Sequence, residues 1–158
     1  MILGIDVGHT GCLVVLDEED HYRYIDHLHM PVIKVSSKTR VNGAAVASFV
    51  HKYELNMAYV ELVNAMPNGD VSIGVASAFS FGHSSGVIEG VLSGGLIPYQ
   101  AVTPTKWKRN AGLLIRGKDS SRSKAIQLYP ELRELDLKAK GQALADAIFI
   151  ARCAISPL

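Results

Sequence analysis

Ile2-Leu3-Gly4-Ile5-Asp6-Val7-Gly8, followed by Cys12-Leu13-Val14-Val15-Leu16, decides the fold of this chain. Two apolar runs separated by a glycine-containing turn read as buried strands paired as a hairpin. Asp6 sits inside the first run. A carboxylate in such a place is costly unless it is paired, hydrogen-bonded or bound to a metal. The first ten residues therefore present a candidate metal ligand.

Working outward, residues 22–29 alternate well enough for a third strand, and short turns predict an antiparallel meander. The polar, basic stretch from Pro31 to Gly43 reads as a loop or irregular edge. Residues 44–54 space Val46, Phe49, Val50 and Tyr53 as a helix does, and Ala58-Tyr59-Val60-Glu61 is a buried strand ending in an acid. The polar segment Asn64–Asp70 contains a turn at Met66-Pro67-Asn68-Gly69.

Residues 72–94 are helix-like but crowded with Gly, Ser and Ala, which permit close approach of another element. A fifth strand covers 96–102, with Pro98 arguing for a sheet edge or a start at Tyr99. Thr103-Pro104 opens a helix as cap and first residue. Residues 119–129 and 142–155 are the last two helices. The order predicts an α/β fold: a mixed five-stranded sheet with helices on both faces.

At 158 residues and 48% hydrophobic content the chain is expected to be one domain with a real core. The formal net charge of +1 neither favours nor excludes nucleic acid. Cys12 and Cys153 lie in apolar runs and read as buried free thiols. No apolar run reaches membrane-spanning length, and the opening reads as strand rather than as a signal segment. A soluble protein in a reducing compartment, with no membrane partner, is the expectation.

Three acids stand out. Taken singly, each has a structural alternative: Asp6 as a buried acid paired with an Arg or a backbone amide, Glu61 as a cap or salt-bridge partner, and Asp146 as an acid at the start of an apolar helix. Together they place two carboxylates on the sheet and one on a helix. Such a group would repel itself in a dry cleft without a cation between its members. Oxygen-only ligands favour Mg²⁺ or Mn²⁺ over zinc. Two such ions can stabilise both the attacking and the leaving oxygen of a phosphodiester displacement.

Lysine and arginine concentrate between Thr103 and Lys124: Lys106, Lys108, Arg109, Arg116, Lys118, Arg122 and Lys124, with Asp119 the one acid among them. Such a stripe would hold a DNA backbone without reading its sequence. Lys34, Lys38 and Arg40 form a weaker second patch. His9 reads as a turn residue with phosphate within reach, and Trp107 as a packing anchor, with stacking on an exposed base the sharper alternative.

Four motifs in order carry a resemblance that covers nearly the whole chain. They are Ile5-Asp6-Val7-Gly8-x-x-Gly11, Val60-Glu61, the run from Phe79 to Gly90 with Val102-Thr103-Pro104-x-x-Trp107-Lys108 after it, and Ala145-Asp146-Ala147-Ile148-Phe149-Ile150-Ala151. The set resembles the RuvC-like Holliday-junction resolvases of the ribonuclease H-like superfamily, and especially their phage branch.

The resemblance implies a ribonuclease H-like fold and catalytic, metal-binding roles for Asp6, Glu61 and Asp146. It implies a homodimeric, structure-selective endonuclease acting on four-way and other branched DNA, leaving 5′-phosphate and 3′-hydroxyl ends. It also implies a cytoplasmic setting, in a bacterium or a phage-infected host. Phe79 and Phe81, around the long small-residue helix, become candidates for dimer or junction contact. One departure stands out. The family usually carries a further acid a few residues before the aspartate matched by Asp146, and here Ala143 stands one helical turn earlier. A non-catalytic or weakly active branched-DNA-binding protein is therefore the alternative. An actin- or sugar-kinase-like ATPase would need a second domain that the chain cannot hold.

Overall fold

Five strands form the central sheet in the computed structural model, which describes residues 1–62, 74–114, 117 and 119–155. The antiparallel part is β1 (Ile2–Asp6), β2 (Cys12–Asp17) and β3 (Arg23–His29). β6 (Met57–Glu61) and β7 (Tyr99–Val102) add parallel strands, giving the order β3-β2-β1-β6-β7. Pro98 immediately precedes β7, which is an edge strand, so its missing N–H interrupts no ladder between two strands.

The stretch expected to be irregular instead holds a separate hairpin, β4 (Val32–Val35) and β5 (Lys38–Val41). Its turn runs through Ser36 at φ 54°. That left-handed turn residue is a serine rather than the Asn or Gly that marks such turns in sequence, which is why the hairpin was hidden. Lys34 Nζ donates to Thr39 Oγ1 across it at 2.7 Å.

Strand alternation splits the core into two layers. Leu3, Ile5, Leu13, Val15, Ala58 and Val60 pack under α1 (Gly43–Val50) and α2 (Val75–Gly94). Ile2, Cys12, Val14 and Leu16 face α3 (Pro104–Asn110), α4 (Ser120–Leu128) and α5 (Lys138–Ala151). The mixed five-stranded sheet with helices on both faces is thus the observed architecture.

The helix α5 is apolar around most of its circumference because it is enclosed by the sheet and by α4. Leu144, Ile148 and Ile150 are fully buried, each contributing about 2 kcal/mol by removal from water. Gly4 lets α5 descend onto β1: a Cβ there would lie 2.2 Å from the Ala147 carbonyl oxygen and 2.6 Å from the Ala151 amide. The helix begins at Lys138, earlier than its apolar run suggested, because its exposed first turn is polar. Asp146 consequently lies in mid-helix, and the reading of it as an N-terminal acid is corrected.

Candidate metal centre and its cleft

Sheet register builds the site. Asp6 pairs with Cys12, and Cys12 with His29. On the other side of β1, Ile5 pairs with Val60, so the next residues, Asp6 and Glu61, fall side by side. Alternation puts His29, Cys12, Asp6 and Glu61 in one row on the face covered by α5. The close approach at Gly4 brings Asp146 down onto that row from above.

Every member of the acid group has a raised pKa. Asp6 is pushed from 3.8 to about 8, first by burial, then by repulsion from Glu61 and Asp146, and by a hydrogen bond shared with Glu61. Burial also raises Glu61, against a lowering hydrogen bond from Trp107, with Asp146 adding repulsion and Lys108 relief. Burial raises Asp146 against hydrogen bonds from Ser121 and Gln142 and the charge of Lys108. Burial makes the three acids resist ionisation together, and their oxygen donors suit a hard divalent ion.

Neighbouring side chains fix the carboxylates. Trp107 Nε1 donates to Glu61 Oε1 at 2.8 Å. The indole is buried, which removes it as a base-stacking platform and makes it both packing anchor and orienter. Ser121 Oγ donates to Asp146 Oδ1 at 2.5 Å, and Gln142 Nε2 donates to the same oxygen at 2.9 Å. The Gln142 Oε1 is buried with no hydrogen-bond partner. Gly11 closes the turn behind Asp6, where a Cβ would lie 2.0 Å from the Asp6 carbonyl oxygen.

Two clefts meet at Asp6. One, of about 540 Å³, is lined by His9, His29, Gln142, Ala143 and Asp146. The other, of about 300 Å³, runs past His9 to Ser77, Ser80 and Phe81. His9 borders both, with Nε2 buried and unpartnered. Ala143 forms part of the wall, so the position of the missing acid does face the site.

The basic residues separate into groups. Lys108 lies over the Trp107 ring at 5.2 Å and acts electrostatically on both Glu61 and Asp146. Arg109 is exposed and Lys106 half-buried on the same helix. Arg122 donates to the Leu135 carbonyl at 3.4 Å and Lys124 to the Ala111 carbonyl, so both are engaged within the fold. Arg116 and Lys118, like the Asn64–Asp70 segment, lie outside the described residues. Phe79 and Phe81 are exposed rather than core, with Arg40 stacked 5.5 Å from the Phe79 ring centroid.

A second cluster was missed in the sequence. His27 Nε2 lies 2.8 Å from Glu134 Oε2, and His29 Nε2 lies 2.6 Å from Glu134 Oε1. Among the described residues, these three form a trio whose ligand atoms all lie within 4.8 Å of one another, so they could coordinate a divalent ion. Burial raises the Glu134 pKa, but hydrogen bonds and charge from His29 and His27 outweigh it and hold the carboxyl below its usual range. The signal available was the His-x-His spacing on a strand, which puts both rings on one face. Glu134 lies more than a hundred residues away in sequence and gave none.

A sheet of this order with α5 crossing β1 defines a ribonuclease H-like fold. No family model matches the chain. It is 26% identical, over 162 aligned residues covering 97% of this chain and 78% of the relative, to the crossover junction endodeoxyribonuclease RuvC of Bifidobacterium adolescentis. Its fold is similar to that of RuvC from T. thermophilus in complex with Holliday junction substrate, at TM-score 0.66 and 22% identity, covering 96% of this chain and 90% of that one. A second Thermus thermophilus RuvC structure gives TM-score 0.59 at 19% identity, with 96% and 91% covered. The fold is RuvC-like. Among the described residues no helix is long and apolar enough to cross a membrane.

Proposed function

We propose that this chain is a RuvC-like, metal-dependent endonuclease that cleaves branched DNA, four-way junctions foremost. What supports the reading is that Asp6 and Asp146 line one cleft and Glu61 shares a hydrogen bond with Asp6, burial raising the pKa of all three. The relatives' names supply the substrate class.

Asp6, Glu61 and Asp146 would hold Mg²⁺ or Mn²⁺. Such ions supply a more acidic bound water and neutralise charge on the phosphodiester. The protein's own part is positional. Trp107 holds Glu61 beside Asp6, Ser121 and Gln142 hold Asp146, and Lys108 offers a cation to the DNA backbone beside the acids. His9, at the meeting of the clefts, lies where a phosphate oxygen would enter. Lys106 and Arg109 would extend the backbone track, with Arg116 and Lys118 proposed to join it, while Arg122 and Lys124 are held by the Leu135 and Ala111 carbonyls. A hydrolytic product with 5′-phosphate and 3′-hydroxyl ends follows from the resemblance, as does the phage-type branch.

A homodimer fits the chemistry, because two sites are needed to nick two strands symmetrically. On α2, a methyl group added to Gly82, Gly86, Gly90 or Gly94 would meet open space, and these glycines recur every four residues. Phe79 and Phe81 project from the same helix as dimer or junction contacts.

A second reading, a branched-DNA binder with little cleavage, is favoured by Ala143 in the cleft wall and by the hydrogen bonds that occupy one oxygen of Asp146. The separating experiment compares synthetic four-way DNA with linear duplex of the same sequence, in Mg²⁺ and in Mn²⁺. Nicking confined to the branched substrate and requiring metal is expected. Tight junction binding with no nicking in either metal, rescued by A143D, would favour the second reading.

A further inference from the structure

We propose that His27, His29 and Glu134 form a separate site for a zinc-class transition-metal ion, independent of the nuclease reading. The three side chains supply two imidazole nitrogens and one carboxylate, a donor set suited to Zn²⁺ rather than Mg²⁺. The imidazole rings stand 5.2 Å apart, edge to face at 82°, so their Nε2 atoms approach Glu134 from different directions.

The distances are those of ligands poised around an ion. Nitrogen and oxygen bound to one tetrahedral zinc lie about 3.3 Å apart, from bond lengths of about 2.0–2.1 Å. Separations of 2.8 Å and 2.6 Å need to open by only about half an ångström, within side-chain adjustment. Without an ion the imidazoles donate N–H to the carboxylate. With one, each ring shifts to its Nδ1–H tautomer, the proton passing by way of solvent from Nε2 to Nδ1, and the freed Nε2 binds the ion. The Tyr24 hydroxyl, 2.6 Å from His27 Nδ1, then accepts from the relocated Nδ1 proton, the outer-shell partner that fixes a liganding ring.

The site is distinct from the acids. His29 and Asp6 are two strands apart in one register row, about 10 Å by strand spacing. Among the described residues, Asp6 is not part of the trio whose ligand atoms lie within 4.8 Å of one another. His29 nevertheless borders the same cleft as Asp6 and Asp146, so the coordination position left free by three protein ligands opens toward it. The ion would tie β3 to the 3-10 turn Arg133–Asp136, which leads into α5.

The test uses the full chain stripped of metal and titrated with Co²⁺ as a spectroscopic probe, then with Zn²⁺. One equivalent of Co²⁺ should give the visible bands of a four- or five-coordinate ion, and Zn²⁺ should displace it stoichiometrically. H29Q and E134Q, checked for folding by circular dichroism, should bind at least ~10-fold more weakly, and Y24F ~10-fold more weakly. D6N and millimolar Mg²⁺ should leave the bands unchanged. Mapping diethyl pyrocarbonate modification of His27 and His29 in the wild type, with and without Zn²⁺, reads the same site without substitution, and zinc should protect both. No binding at micromolar metal, bands that survive H29Q and E134Q, bands lost in D6N, or no zinc protection would each overturn the proposal.

Discussion

The acid group and the His27–His29–Glu134 trio share one face of one sheet, yet they are electrostatic opposites. Asp6, Glu61 and Asp146 are like charges steadied by neutral donors from Trp107, Ser121 and Gln142, and all three are pushed toward the protonated form. Glu134 is instead flanked by two imidazoles and pulled toward ionisation. The first group repels itself, while the second already balances its charge and would exchange two hydrogen bonds for an ion. The difference shows how one face can carry a group of like charges beside a mixed nitrogen and oxygen cluster whose charge is already balanced.

The comparison can be broken most sharply at Asp6. D6N should reduce junction nicking by roughly 10²–10³-fold, the cost of losing a group that acts on transition-state charge. In metal-free buffer near pH 8 the same variant should melt higher than the wild type, because a buried repulsion is gone. A lower melting temperature would show that Asp6 is already paired. Next in size is G4A, which forces a methyl into the Ala147 carbonyl and Ala151. It should cost about 3 kcal/mol in denaturant unfolding and disturb both groups, since α5 carries Asp146 and is entered through the turn that holds Glu134.

W107F keeps the ring but loses the bond to Glu61. It should lower nicking by roughly 10-fold, with junction affinity unchanged. The remaining effects are in pH dependence, and the two groups give opposite signs. Between about pH 4 and 8 the unfolded chain releases the Asp6 proton while the folded chain keeps it, so metal-free stability should fall as pH rises through that window. D6N should flatten this slope. Glu134, with its lowered pKa, contributes stability above its unfolded pKa and loses it as the solution is acidified through the folded one. E134Q should shrink that acid-side loss. Both slopes are read from urea midpoints across pH.

The fold was legible where periodicity and punctuation agree. The Ile2–Leu16 runs, Val60 before Glu61, and Thr103-Pro104 each combine an apolar pattern with a local stop or start. The β4–β5 hairpin was not, because its turn uses Ser36 at positive φ. The three acids could be named from the sequence because each interrupts an apolar stretch. Their supports could not. Trp107, Ser121 and Gln142 reach the acids only through tertiary packing, and nothing local marks the pairing of His27 and His29 with Glu134. Phe79 and Phe81, named from the sequence as candidates for dimer or junction contact, are exposed on α2.

The most direct test of the account is cleavage of a synthetic four-way junction by wild type and D6N, in Mg²⁺ and with the metal removed. The account predicts metal-dependent nicking by the wild type and near-complete loss in D6N, with D6N still shifting the junction in a gel. Equal nicking by wild type and D6N, or nicking that survives removal of metal, would contradict it.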